Sequence, residues 1–372
     1  MRVFQISDTG IAESDNLPAT PMAGCTTWIS CSREEFDSGL AAIQAMLQAM
    51  CGQHLVDLHV SDLRNAQLAS RYDYTAQYDL LVFQRLASGH VSGADKVQPA
   101  DKQVHDGVST RRSGPPILRR IDTSAVGFAL FDDLLLSVHP QDCAVRDAYA
   151  ARLLAVAQSP REGNNRLPAS AADLMLRIVN QIVDQYLDLR RELSRQLDHW
   201  QAELLAPHTR FTNWSALLDA RMALHALDDV ADDQRTAMQD WTASLENWPP
   251  AATSAGQRDY DLLKVRSRDV LEHIERVVRH VRRLEQNAET TVQMHFSAQG
   301  HRTNEIMRTL TALTAVFLPL NLITGFFGMN FEFLPLVHRQ TGIWWATGIM
   351  SLVALTLVAL FWRKRYLART SR

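Results

Sequence analysis

Two long stretches without a charged side chain limit what this chain can fold into. From Thr309 to Phe331 there are 23 consecutive residues with no Asp, Glu, Lys or Arg, and from Thr341 to Trp362 there are 22. About 20 helical residues are enough to cross a hydrocarbon layer of roughly 30 Å. Soluble helices of such length keep a charged face, so both runs read as transmembrane helices. The rest of the chain is of another kind: over 372 residues the mean hydropathy is -0.16, which describes a largely soluble protein with a small membrane part. After the second run, "RKRYLARTSR" carries five basic residues and no acid, whereas loop 332–340 offers only Glu332, His338 and Arg339. The excess of positive charge places that tail on the cytoplasmic side. With two spans, the N-terminal 300 residues are then expected on the same side.

Several function classes are excluded early. A net charge of -3 gives no general reason to bind nucleic acid, and Arg276, Arg279, Arg282 and Arg283 alternate with Glu272, Glu275 and Glu285 as on a solvated helix face. The four cysteines, Cys25, Cys31, Cys51 and Cys143, form no C-x-x-C pair and sit at no zinc spacing, which fits a reduced compartment. No Gly-rich phosphate cradle or nucleophile elbow occurs, and an enzyme is not expected. The N-terminus shows no basic start followed by an apolar core, so no signal peptide is expected.

Residues 1–166 read as a mixed α/β domain. "TTWISC" is a strand, and Ser32 with Glu35 three residues on is a capping box opening a helix. "YDLLVFQRL" and "VGFALFDDLLLSVHP" are strands, the second folding at Asp132-Asp133 into a hairpin. The segment between them, about 88–116, is polar and rich in turn residues. Residues 167–308 read as helical. Ile182, Tyr186, Leu189, Leu193 and Leu197 recur at spacings of three and four, a second helix ends at Pro249-Pro250, and the two should run antiparallel. A third helix begins near Gln257 and has only Gly300 and Pro319 to interrupt it before Phe327. Its Val270, Ile274, Val277, Val281, Leu284 and Ala288 make a heptad-like stripe that requires helical partners.

The first span is better read as a surface. Met307, Leu310, Thr314, Leu318, Asn321, Gly325 and Gly328 follow at steps of 3, 4, 4, 3, 4 and 3, which puts them on one helix face. Lipid penalises an Asn at mid-span, so Asn321 turns to another helix or to water. Leu310 and Leu318 are placed to form apolar constrictions. The run then ends in "GFFGMNFE", with Gly325, Gly328, Met329, Asn330 and Glu332.

The stretch "NEIMRTLTALTAVFLPLNLITGFFGMNFEFLP", followed by one more span and a basic tail, resembles the CorA family of divalent-cation channels. Gly328, Met329 and Asn330 match the family's Gly-Met-Asn signature. The resemblance implies an α+β cytosolic domain, a long helical stalk and two C-terminal transmembrane helices, assembled as a funnel-shaped homopentamer in the inner membrane of a bacterium. It implies Mg²⁺ as both transported and regulatory ion, with Co²⁺ or Ni²⁺ as further cargo and no organic cofactor. The span 309–331 would line the pore, with 332–340 as external loop, 341–362 as outer helix and 363–372 as cytosolic tail. Five Asn330 amides would meet the hydrated ion as a selectivity filter. The partners implied are further copies of the chain, the bilayer and divalent cations. The sequence departs from the pattern at Leu334 and Leu336, where the family has Met and a second Glu. Asn321 stands where well-known magnesium members have Thr. The related zinc-transporting ZntB branch resembles this chain in fold but usually varies the middle residue of the tripeptide, so Met329 favours magnesium. A membrane-anchored, non-conducting sensor is the alternative from another class. In the family, cytosolic Mg²⁺ closes the pore by bridging acids of neighbouring subunits. By position the matching acids are Asp62 in "SDLRN", where Ser61 replaces a first acid, and Asp269 in "RDVLEH". As residues alone, both also read as ordinary surface acids, with Asp269 paired along its helix to Arg266, Arg268 or His273.

Overall fold

The structure is a computed structural model that describes residues 1–7, 10–18, 20, 24–87, 122–158, 167–205, 214–249, 253–329 and 342–363. The polar segment 88–116, loop 332–340 and tail 364–372 lie outside the described residues. The chain divides into two compact units, Met1–Glu289 and Thr290–Arg372.

The first unit is built on one seven-stranded sheet. Its strands are β1 (Arg2–Ser7), β2 (Gly10–Ser14), β3 (Thr26–Ser32), β4 (Arg71–Tyr74), β5 (Asp79–Leu86), β6 (Thr123–Leu130) and β7 (Leu134–His139). They lie in the order β2-β1-β3-β7-β6-β5-β4, with β3 parallel to β7 and every other pair antiparallel. The central strands β3 and β7 are buried along their whole length, as strands covered on both faces must be. On one face Ile29, Leu80, Val82, Leu134 and Leu136 pack with Phe36, Ile43, Leu47, Val60 and Leu63 from α1 (Arg33–Cys51) and α2 (Asp57–Arg64). The expected capping box is present: Ser32 Oγ accepts from the Glu35 N–H, and Glu35 accepts from the Ser32 N–H. Such a cap stabilises a helix by about 1 kcal/mol. The hairpin expected at Asp132-Asp133 is the β6–β7 connection, closed by the Phe131 N–H donating to Leu134 O at 2.8 Å.

The opposite face carries α3 (Ala144–Gln158), α4 (Ala171–Leu205) and α5 (Trp214–Glu246). Tyr186 of α4 and Gln234 of α5 both donate to the Gln84 carbonyl of β5, at 3.2 and 2.7 Å. Helix α6 runs from Ser254 to Phe327, 74 residues without interruption at Gly300 or Pro319. In the first unit it is tied to both neighbours. Toward α4 the pairs rise together in number, Asp173 with Arg266, Asp184 with His273 and Ser194 with His280, so α4 and α6 run parallel. Toward α5 the order reverses, with Leu245 to Tyr260, Trp241 to Ser267 and Asp228 to Arg282. Helices α4 and α5 therefore run antiparallel, as their sequences predict. The apolar stripe of α6 is buried at Leu263, Val270, Ile274, Val277, Val281, Leu284 and Ala288, with Ser267 filling its one polar step.

A buried polar chain sits under β7. Trp28 Nε1 donates to Ser137 Oγ at 2.7 Å, and Ser137 Oγ lies 2.8 Å from His139 Nε2. The Ser137 hydroxyl also reaches the Ile29 carbonyl, to which it donates at 3.4 Å. On the other side of the ring, His139 Nδ1 lies 3.4 Å from Cys143 Sγ. Burial, then Arg146, Arg85 and Arg33, hold the His139 pKa well below the ordinary 6.5. The unfolded chain takes up this proton below pH 6.5 and the folded chain does not. The His139 contribution is therefore intact above pH 6.5 and is lost as pH falls from there toward the lowered folded value, at up to about 1.4 kcal/mol per pH unit. Replacing His139 with Leu should flatten the decline of Tm between pH 6.5 and 5; an unchanged slope in scanning calorimetry would contradict the buried neutral ring.

Candidate ion pathway

In the second unit, the apolar part of α6 and the helix α7 (Gly342–Arg363) are both long and apolar enough to cross a membrane. Met307, Leu310, Thr314, Leu318, Asn321 and Gly325 lie on α6, and the helix ends just before Gly328. At 3.6 residues per turn these seven positions fall within an arc of about 80°. All seven are exposed. The covered residues of the same stretch are Ala312, Ala315, Val316, Pro319, Leu320, Ile323 and Phe327, which lie off the stripe and are centred on the opposite side. On α7 the covered residues are Ala346, Met350, Val353, Ala354, Leu357 and Phe361, again one face. One covered stripe on each helix is the pattern of a packed pair. The mixed small and polar stripe of α6 thus points away from the side already covered.

The hydroxyls of this stretch are bonded in a way that leaves oxygen facing outward. Thr314 Oγ1 donates to Leu310 O at 2.9 Å, Thr311 to Met307 O at 2.7 Å and Thr324 to Asn321 O at 3.0 Å. Each hydroxyl has one proton, which its own helix takes, while oxygen lone pairs stay free. A ring of such groups can only accept. The water shell of a magnesium ion can only donate outward, so the two are matched without removing the shell.

The end of the helix differs from a glycine cap of the left-handed kind. Among the described glycines only Gly24 and Gly52 have positive φ. The Gly328 N–H still donates to Thr324 O at 2.9 Å, a helical bond, and Met329 N–H reaches Phe326 O at 3.4 Å, which tightens the last turn. At Gly328, just past the helix, a Cβ would stand 3.0 Å from Thr324 O, a tight contact, whereas at Gly325 it would meet nothing within 4 Å beyond the backbone of its own helix. Asn330 and Glu332 lie outside the described residues.

The two acids assigned to regulation are not joined to each other; each has its own neighbour. Asp62, 8% exposed on α2, faces Arg71 at 3.3 Å. Asp269 is exposed on α6 and pairs with His273 one turn on, at 3.6 Å. Arg266 is engaged instead by Asp173. Asp269 lines a cavity of about 260 Å³ together with Asp184, Asn180 and Gln181 of α4. The Asn180 and Gln181 side-chain oxygens are buried without a hydrogen bond. Burial, opposed by His273 and assisted by Asp188 and Asp269, raises the Asp184 pKa above the usual carboxylate value. Asp184 was not singled out from the sequence, where it is one acid among many on a polar helix. Among the described residues no three His, Cys, Asp or Glu side chains are grouped to hold a metal within one chain.

A family model described as CorA-like Mg2+ transporter protein matches residues 113–365. The chain belongs to this family. Among CorA relatives, the cobalt/magnesium transport protein CorA of Thermotoga maritima is 30% identical over 100 residues, which is 27% of this chain and 28% of that relative's length. The cobalt/magnesium transport protein CorA of Methanocaldococcus jannaschii is 23% identical over 248 residues, 66% of this chain and 73% of the relative. The complete structure of the CorA magnesium transporter from the same organism superposes with a TM-score of 0.68 at 17% identity, covering 98% of each chain. At that identity the likeness shows the CorA fold: an N-terminal α/β domain, a long helix and two apolar C-terminal helices. The expected α/β domain, long helix and two apolar C-terminal helices are thereby met. Gly325→Ala, inside the helix, should raise the Tm of the detergent-solubilised chain, and Gly328→Ala, whose Cβ would press on the Thr324 carbonyl, should gain less; the reverse order in a thermal-shift assay would contradict the tight approach at Gly328.

Proposed function

We propose that this CorA-family chain passes divalent cations, Mg²⁺ first, through a pore lined by the α6 stripe. The observation that carries the reading is the position of Thr314, Asn321 and Gly325 on the side of α6 opposite the one covered within the chain. A helix between lipid and one packed neighbour has no use for an asparagine and outward-facing hydroxyl oxygens there. A water-filled path gives them one. In this reading several copies, five by family resemblance, turn their stripes to a common axis in the inner membrane, with both termini cytoplasmic. Leu310 and Leu318 supply apolar rings, and the Gly328-Met329-Asn330 segment forms the outer filter. No second energy source is required, since an inside-negative potential favours entry of a divalent ion by about 4.6 kcal/mol per 100 mV.

Purified protein in liposomes should admit Mg²⁺ under such a potential. Asn330→Ala should reduce the flux at least about tenfold while the oligomer elutes unchanged, because it removes the amide ring that meets the ion's waters. Undiminished flux in that variant would contradict the filter assignment.

Closure by cytosolic Mg²⁺ at Asp269, with Asp62 of a neighbouring copy, completes the proposal. Ligand that prefers one state stabilises it only by its differential affinity, and with Arg71 and His273 already beside these acids that difference is modest. Asp269→Lys should shift the Mg²⁺ concentration that protects α6 from proteolysis. Superimposable protection curves over the millimolar range would remove Asp269 from the sensor.

A further inference from the structure

A second cavity lies far along the chain from the pore stripe and has a different chemistry. It measures about 490 Å³ and opens where the β4–β5 hairpin, the β6–β7 turn, the start of α4 and the end of α5 meet. Its walls include Tyr74, Tyr78, Phe131 and Trp248, and its two charged groups are Asp79 and Asp132. No Lys, Arg or His is among its described lining residues.

The aromatic walls are held in place by packing. Tyr78 stacks on Phe131 at 5.1 Å between ring centres, and Trp248 meets the fully buried Trp241 edge-on at 5.8 Å. Tyr72 donates its hydroxyl to Asp79 Oδ1 at 2.7 Å, which fixes that carboxylate. Asp132 has no ion-pair or hydrogen-bond partner among the described residues. Burial, and then the nearby Asp132 charge, raise the Asp79 pKa despite the tyrosine bond. Helix α5 ends here as well, its last carbonyls taken by the Asn247 and Trp248 N–H groups, the Asn247 amide and the Tyr260 hydroxyl. The positive end of α4 is offset by its own cap, in which Ser170 Oγ accepts from the Asp173 N–H and Asp173 accepts from the Ala169 N–H.

Aromatic faces with carboxylates and no base select organic ammonium ions. The faces attract the cation and cover its apolar stem, and the carboxylates take its N–H donors. A small hydrated metal ion would have no use for the aromatic walls. We infer that this pocket binds a linear di- or polyamine, with one ammonium at Asp132, another toward Asp79 and the methylene stem along Tyr74 and Trp248. Because the pocket joins the sheet to α4 and α5, the bound amine would tie these elements together.

Isothermal titration of spermidine into the full-length chain in detergent, with putrescine, tetramethylammonium and Mg²⁺ as parallel titrants, tests this. Saturable spermidine binding is expected, weakened about tenfold by Asp132→Asn and several-fold by Trp248→Ala, in line with one charged contact and one cation–π face. Asp240→Asn, an exposed acid elsewhere on α5, should leave it unchanged. Tm and circular dichroism of Asp132→Asn should match wild type, since the residue lies on an exposed turn. No saturable spermidine binding would overturn the proposal. So would an equal loss in Asp240→Asn, which would mean diffuse attraction to an acidic protein. Preference for tetramethylammonium over both amines, or Mg²⁺ binding that Asp132→Asn abolishes, would overturn it too.

Discussion

In an apolar medium every backbone N–H and C=O must find its partner within the segment, and the rest of this structure depends on that constraint. It makes the apolar part of α6 and α7 helical and leaves only side chains free to vary. It also explains why threonine serves here. Thr309, Thr311 and Thr314 return their protons to their own helix backbone, so they add no unsatisfied donor while exposing an acceptor. Pro319 removes one donor from the helix interior, and α6 continues past it to Phe327.

Magnesium chemistry asks for little beyond this. The ion holds its water shell tightly, and a path that accepts the shell intact needs oxygen lone pairs at the right radius rather than a cage of charges. A helix face of Thr, Asn and Gly supplies them at low cost in desolvation, which a row of carboxylates in the membrane could not do. Apart from Glu305 and Glu332, the acids of the protein lie instead in the first unit. Asp173 joins α4 to Arg266 of α6, and Asp184 stands beside His273 and Asp269, so the residues nearest the proposed sensor also hold the helices together. A change of charge at Asp269 would therefore be felt at the α4–α6 contact, which gives a physical link between ion binding and helix packing.

Much of this was legible in the sequence, for local reasons. The capping box at Ser32, the Asp132-Asp133 turn and the apolar run of β5 are set by neighbours a few residues apart. The heptad stripe of α6 and the pore stripe both follow from the 3.6-residue period. Strands β1, β2 and β4 were not singled out. Two of them are short edge segments, "GIAES" and "RYDY", whose strand character comes from pairing with partners elsewhere in the sheet. The pairing of Asp173 with Arg266 spans 93 residues and has no local signal. At Gly328 the glycine was legible, but the tight approach of its position to the Thr324 carbonyl, which a Cβ would meet at 3.0 Å, was not.

The central claim is that the Thr314, Asn321 and Gly325 side of α6 faces water. Single cysteines placed along 312–325, in a background with Cys25, Cys31, Cys51 and Cys143 replaced, can be probed with a membrane-impermeant thiol reagent on protein in vesicles. Labelling should rise at 314, 318, 321 and 325 and fall at 312, 316 and 323, following the helical period. Labelling confined to the 312, 316 and 323 side, or none at any position, would contradict the account.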